Sequence, residues 1–425
     1  MKNNKKTVFL TGATGLVGSY LLKILLQEGY KVYVLARSKD NKNARDRVID
    51  VLKFWDKDIL SQTRMSQRDS KDNENNPPSP PFSKGGQGGF VVLEGDITKK
   101  NLGLNKQSID LLKNEVEEIF HCAAVTHFKW PLKDIRQANV EGTKNVLELA
   151  VECNKNSPPT PPFNKGGQGG FSEQKGKFKK VNHISTAYVC GDYKGIFKED
   201  DLDVGQGFST TYEQSKFEAE KLVEKYRKKG LWIDIFRPPL VLGESVTGKT
   251  ITFQQSVYQL LHMWNLEIFD HFPCKGVSIN LVFVDDLCKA IFKISAQTSP
   301  LFNSPLTKGG LSGETYHPFH TEAVPLEAIL DISSKFLGFK KPELVSRKDF
   351  LKKNLTPAQK ILLQNNILLF NDYVKLNSIM TNNALKKYRF EFSDFNRDSF
   401  LNLLKYCIKE GFLKKRDYAI NSQRS

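Results

Sequence analysis

The stretch Val8-Phe9-Leu10-Thr11-Gly12-Ala13-Thr14-Gly15-Leu16-Val17-Gly18 limits the folds open to this chain more than any other. Three apolar residues read as a buried parallel strand, and the glycines then punctuate a tight turn into a helix. That helix carries apolar positions at Leu16, Tyr20, Leu21, Ile24 and Leu25, and it stops at Gly29. Gly12 permits the turn, Gly15 lets the backbone approach a pyrophosphate, and Gly18 lets the helix pack on the strand. The helix N-terminus offers free amides and the positive end of its dipole to phosphates. Thr11, Gly12, Thr14, Gly15, Leu16, Val17 and Gly18 are therefore candidate cofactor-binding residues.

The rest of the first half repeats a strand-helix rhythm. A second strand, Lys31 to Ala36, ends on Arg37, where a dinucleotide fold reads the adenosine ribose. An acidic residue there suits a free 2′-hydroxyl and a basic one a 2′-phosphate. Arg37, with Arg47 close behind, therefore favours NADP(H) over NAD(H). A third strand, Phe90 to Asp96, precedes Ile97, and a fourth, Val116 to Phe120, runs into His121-Cys122-Ala123-Ala124. A helix from about Asp134 to Cys153 holds Asn139. A fifth strand, Lys180 to Ile184, leads into Ser185-Thr186, and a sixth, Trp232 to Phe236, into Arg237-Pro238-Pro239. This alternation predicts an α/β fold, a doubly wound parallel Rossmann sheet over residues 1–245. Residues 246–425 read as a smaller, mostly helical substrate-binding region. Helices are expected over Thr252–Trp264, from Thr356-Pro357 through Phe370, and around Phe400, Leu403, Leu404, Cys407 and Ile408 up to Gly411.

Pro77 to Phe90 recurs almost verbatim as Pro158 to Phe171, with a degenerate copy at Pro300 to Gly310. Proline removes amide donors and glycine runs are costly to order, so these cassettes (insertions near 72–89, 155–177 and 298–313) are expected to form neither sheet nor helix. Hydrophobic content of 39% marks a globular chain. A formal charge of +16 is mostly scattered lysine on a solvated surface. It also suits an acidic partner such as a phosphorylated cofactor, an acyl carrier protein or an anionic membrane surface, whereas no nucleic-acid-binding signature accompanies it. Six cysteines without C-x-x-C spacing suit reduced thiols in a cytoplasmic protein, and no metal-ligand spacing is present. No signal peptide is read at the N-terminus, and no run of eighteen apolar residues offers a membrane span.

Tyr212-Glu213-Gln214-Ser215-Lys216 opens a helix that runs to about Lys229. A spacing of four places the Tyr212 phenol and the Lys216 ammonium on one face. The cation is expected to lower the phenol pKa, so that Tyr212 exchanges a proton with a substrate oxygen. Thr186 would hydrogen-bond that oxygen, Asn139 would support a relay water, and Lys216 would hold the nicotinamide ribose. Adjacent strand residues point to opposite faces, so only one of Ser185 and Thr186 can reach the substrate. Gly243-Glu244-Ser245-Val246-Thr247-Gly248-Lys249-Thr250 satisfies the G-x-x-x-x-G-K-T phosphate-loop pattern, but it follows six strands of an existing sheet, so it reads as a border of the substrate cleft.

Thr11 to Gly18, Tyr212/Lys216 and Arg237-Pro238 together resemble an extended short-chain dehydrogenase/reductase. Leu35-Ala36-Arg37, His121-Cys122-Ala123-Ala124-Val125 with Phe128, Asn139-Val140-Glu141-Gly142-Thr143 and Ile184-Ser185-Thr186-Ala187-Tyr188-Val189 are most similar to its thioester reductase and fatty acyl-CoA reductase ("male sterility") branch. The resemblance implies Thr186, Tyr212 and Lys216 as catalytic residues and NADPH as donor. It also implies cofactor contacts at Asp96, Ile97, Ala123, Ala124 and Pro239, alongside Tyr212 and Lys216. The implied reaction is reduction of an acyl thioester, on CoA or acyl carrier protein, to aldehyde or alcohol. A nucleotide-sugar epimerase or dehydratase that keeps its NAD shares the fold and the Tyr/Lys pair, and a non-catalytic NAD(P)-binding protein shares the glycine motif.

Overall fold

The computed structural model describes residues 6–62, 88–128, 130–155, 177–254, 256–297, 313–319, 322–364 and 375–416. Seven strands make the central sheet: β1 (Thr7–Thr11), β2 (Lys31–Ala36), β3 (Gly89–Glu94), β4 (Glu118–His121), β5 (Lys180–Ile184), β6 (Ile233–Phe236) and β7 (Thr315–Tyr316). Their spatial order is β7-β6-β5-β4-β1-β2-β3, and every pairing is parallel. The order reverses between β1 and β4, so a crevice opens at the carboxyl ends of those two strands. This is the predicted Rossmann architecture, with one strand more than the sequence rhythm shows.

The longer helices are α1 (Leu16–Gln27), α2 (Ala44–Trp55), α3 (Lys106–Glu115), α4 (Gly142–Lys155), α5 (Thr211–Arg227), α6 (Ser256–Asn265), α7 (Val284–Gln297), α8 (Leu326–Leu337) and α9 (Arg397–Lys409). Strand residues alternate between faces, so each face of the sheet builds its own core. Val8, Leu10, Val32, Val34 and Phe120 pack under α1, α2 and α7. Phe9, Tyr33, Ile119 and Ile235 pack under α3, α4 and α5. A third cluster joins α6, α8 and α9 to the strand pair Leu240–Leu242 and Leu281–Phe283. Segments after residue 245 thus serve both layers, since α7 covers the sheet and β7 extends it.

Three details depart from the sequence expectations. Gly89 and Phe90, the last residues of the first cassette, open β3 and pair with Lys31 and Val32, because the strand beside them supplies the ladder partners that the cassette lacks. Residues 77–87 of that cassette and the other two copies lie outside the described residues. Helix α6 starts at Ser256 rather than Thr252: the Thr250 hydroxyl takes the Thr252 amide (3.5 Å) and the Thr252 hydroxyl the Gln254 amide (3.1 Å), turns that compete with helix. The helix beginning at Pro357 is described to Gln364, and residues 365–370 of its expected span lie outside the described residues.

The turn from β1 to α1 is sterically closed. Gly12 has φ +76°, and a Cβ there would stand 2.5 Å from the Ala123 nitrogen; a Cβ on Gly18 would stand 2.2 Å from the Gly12 carbonyl oxygen. Gly18→Ala should therefore lower the thermal midpoint by the equivalent of about 1–3 kcal/mol, the usual cost of overpacking. Differential scanning calorimetry reads it, and an unchanged midpoint would mean that α1 is free to move off β1.

Candidate active site

Helix α5 carries the two residues that the sequence pairs. Its N-terminus is fixed by a capping box: the Thr210 hydroxyl accepts from the Glu213 amide (3.2 Å), and the Glu213 carboxylate accepts from the amides of Thr210 (2.9 Å) and Ser209 (2.7 Å). Tyr212 is half-buried next to this cap, and Lys216 lies one turn on, buried, with its ammonium donating to the Ile184 carbonyl at the end of β5 (3.0 Å).

Burial pushes the Tyr212 phenol up to about 12, with a hydrogen bond from Thr186 pulling it down and Glu213 pushing it further up. The expected depression by Lys216 is thus overturned: at i, i+4 spacing the ammonium faces the β5 carbonyl, and desolvation of the ring dominates. Burial also lowers Lys216, to about 8, with Glu220 acting in the opposite direction. Tyr212 therefore keeps its proton at neutral pH. Of the Ser185-Thr186 pair, Thr186 touches Tyr212, donates to the Pro238 carbonyl (3.5 Å) and accepts from the Tyr188 amide (3.3 Å). The Ser185 hydroxyl is buried without a partner among the described residues.

Asn139 sits in a π-helical turn, Gln137–Glu141, that links the short helix Leu132–Arg136 to α4. Its amide accepts from the Val125 nitrogen (2.7 Å) and donates to the Val125 carbonyl (2.9 Å) and the Ser215 hydroxyl (2.9 Å). It thus ties the loop after β4 to α5. Thr11, His121 and Thr143 continue this polar chain. The Thr11 hydroxyl meets His121 Nδ1 at 2.8 Å, His121 Nε2 meets the Thr143 hydroxyl at 3.0 Å, and that hydroxyl donates to the Asn139 carbonyl (2.7 Å). Burial and the Lys216 charge hold His121 down at about 3, so a neutral imidazole serves the chain.

The cofactor candidates gather at the crevice. Gly15, at the N-cap of α1, is exposed, has no side-chain cap, and a Cβ on it would meet only the Gly12 carbonyl oxygen, at 3.4 Å. Leu16 is buried behind it and Val17 half-buried. A phosphate fits against this bare turn, so the residues present suit a dinucleotide. Arg47 donates to the Arg37 carbonyl (2.5 Å) and to the Thr14 hydroxyl (3.3 Å), while Arg37, 60% exposed, pairs with Asp96 at 3.3 Å. Burial raises Asp96, but the Thr98 amide and hydroxyl and Arg37 outweigh it and hold the carboxyl below its usual value. Ile97 supports Gly142, and its carbonyl accepts from Asn145 (2.7 Å). Ala123 donates to the Thr11 hydroxyl (3.4 Å), Ala124 is exposed at the crevice edge, and Pro239 is buried behind Thr186.

Two features lay beyond sequence reasoning. Glu220, one turn past Lys216, is fully buried and grips Arg237 through Nε (3.0 and 3.1 Å) and Nη2 (2.7 Å). This pair anchors α5 to the end of β6; the only hint was Arg237 itself, an arginine among apolar residues. The polar groups of the phosphate-loop pattern are taken within the loop and by Asp285 in α7. The Glu244 amide donates to the Lys249 carbonyl (2.9 Å), the Gly248 amide to the Glu244 carbonyl (2.8 Å), and Ser245 bonds Asp285 through its amide (3.0 Å) and hydroxyl (2.9 Å).

The profile of the male sterility protein family matches residues 10–291, and the chain belongs to that family. The family model is an NAD-binding one, and the chain is of the extended short-chain dehydrogenase/reductase type. Among curated proteins it is similar to the L-2-aminoadipate reductase large subunit of Penicillium chrysogenum, 27% identical over 327 residues, which covers 75% of this chain and 20% of that protein. The chain thus spans about a fifth of such relatives. Among solved structures it resembles the terminal R domain of the myxalamid PKS-NRPS pathway (TM-score 0.73, 22% identity, 98% of this chain and 94% of that one). It also resembles a thiolation-reductase di-domain of an archaeal non-ribosomal peptide synthetase (TM-score 0.68, 18% identity, 96% and 76%).

Lys216 titrates near 8 in the folded chain against an ordinary 10.5. The folded state therefore binds fewer protons between those values, and this group's cost to stability fades as pH rises through them. Lys216→Met should gain thermal midpoint over the parent at pH 7, by the equivalent of up to about 3 kcal/mol. That gain should shrink toward pH 10. A gain independent of pH would mean that the Lys216 pKa is the same in the folded and unfolded chain.

Proposed function

We propose that the chain reduces an acyl thioester with NADPH, releasing an aldehyde or, after a second round, an alcohol. The observation carrying this reading is a protonated Tyr212 hydrogen-bonded to Thr186, one helical turn from Lys216, at the carboxyl end of the sheet. The relatives named as an L-2-aminoadipate reductase and as a thiolation-reductase di-domain support it. A bound nicotinamide supplies the hydride. Tyr212 gives its proton to the oxygen on which charge develops, and Thr186 hydrogen-bonds the same oxygen; the C–S bond of the resulting hemithioacetal then breaks, the hydroxyl proton goes to the departing thiolate, and thiol and aldehyde leave. Lys216, whose ammonium faces the Ile184 carbonyl, holds the ribose, while Asn139 sets the loop that carries Ala123 and Ala124. Arg37 and Arg47 take the 2′-phosphate, with Arg37 exchanging its Asp96 contact for it. The substrate arrives on CoA or on an acyl carrier protein, and residues 246–425 supply most of its binding surface.

Incubation with NADPH or NADH and a panel of acyl-CoA, acyl-carrier and nucleotide-sugar substrates, followed at the nicotinamide absorbance, tests the reading. Oxidation of NADPH with acyl thioesters is expected. Nucleotide-sugar conversion without net cofactor turnover would replace the reading with the epimerase one.

Two variants refine the test. Tyr212→Phe should lower turnover by roughly a hundredfold or more with cofactor binding kept, as expected for loss of a positioned acid. Arg37→Ala should erase most of the difference between NADPH and NADH affinity; equal affinities in the parent would contradict the NADPH assignment.

A further inference from the structure

The loop after β4 holds three aromatic side chains to which the reading above gives no part. Val125 is clamped in both directions by Asn139, and the Thr211 hydroxyl contacts the carbonyls of Phe128 (3.3 Å) and Trp130 (2.9 Å). Thr211 is the residue before Tyr212, so loop and acid are fixed in one frame. Within that frame the half-buried Phe128 ring meets the Tyr212 ring edge to face, with centroids 5.7 Å apart and planes at 65°. Next to it His127 stacks flat on Trp130, at 5.3 Å and 7°, and Trp130 is left 44% exposed. An exposed tryptophan on a well-tethered loop is an unusual use of a large apolar side chain.

We propose that Phe128, with the His127–Trp130 stack beside it, is the acyl-facing wall of the cleft and selects extended apolar acyl groups over acetyl-sized ones. The inference rests on the acyl-thioester reading. A carbonyl oxygen held by Tyr212 and Thr186 brings its substituents alongside the Tyr212 ring, and Phe128 is the aromatic neighbour of that ring. Each methylene laid against such a wall leaves water, whereas an acetyl group is too short to gain from it. Because the loop hangs from Thr211 and Asn139, its surface is already formed before substrate arrives, and little ordering is required on binding.

The test compares kcat/KM for octanoyl-CoA and acetyl-CoA with NADPH in the parent, Phe128→Ala and Phe128→Leu, with NADPH affinity as the folding control. The parent should favour octanoyl. Phe128→Ala should lower the octanoyl-to-acetyl ratio by about tenfold, within the range set by small changes in an apolar pocket. Phe128→Leu, which keeps a large apolar side chain, should lower it less, and it decides the matter if the alanine variant does not bind NADPH. An unchanged ratio in variants that bind NADPH overturns the inference and leaves the thioester reading standing. A parent that reduces neither thioester while converting a nucleotide sugar overturns both.

Discussion

Backbone contact at the first turn governs what this chain can do. Gly18 lies so close to the Gly12 carbonyl, and Gly12 to the Ala123 amide, that α1, β1 and the end of β4 meet with no side chain between them. That contact leaves the uncapped start of α1 open at the reversal point of the sheet. It also brings the loop after β4 within hydrogen-bond reach of Thr11. A side chain at either glycine would separate the turn that opens α1 from the loop after β4.

Buried polar groups then carry that geometry to the reacting atoms. Thr11, His121, Thr143, Asn139 and Ser215 form a continuous chain from the glycine turn to α5, and Glu220 with Arg237 fixes the next turns of α5 against β6. A single neutralisation in the Glu220–Arg237 pair would strand a buried charge, a loss of about 3–5 kcal/mol. Burial also sets the acid-base assignment. It keeps Tyr212 protonated and makes Lys216 a weaker base than a solvated amine, so at neutral pH the site is poised to give a proton rather than take one.

Six of the seven sheet strands were legible because each is a short apolar run followed by a turn or a helical period. The seventh, Thr315–Tyr316, was not, for it is two residues long and finds its place only by pairing with β6. Thr186, Tyr212 and Lys216 stood out through spacing and position in the rhythm. What spacing does not carry is solvation: the i, i+4 rule put Lys216 under the phenol, yet desolvation moved Tyr212 the other way. Nor does a helical period reveal the π turn at Asn139, since Val125 and Ser215, its partners, lie 14 and 76 residues away. Glu220 looked like any charged helix residue until Arg237 was placed against it.

The most direct measurement of the account is the fate of deuterium carried on the reactive carbon of the NADPH nicotinamide during turnover of an acyl thioester. Mass spectrometry of the released product should find the label bonded to the former thioester carbonyl carbon. A label retained on the cofactor after many turnovers, with no labelled aldehyde or alcohol, would contradict the assignment of this site as a thioester reductase.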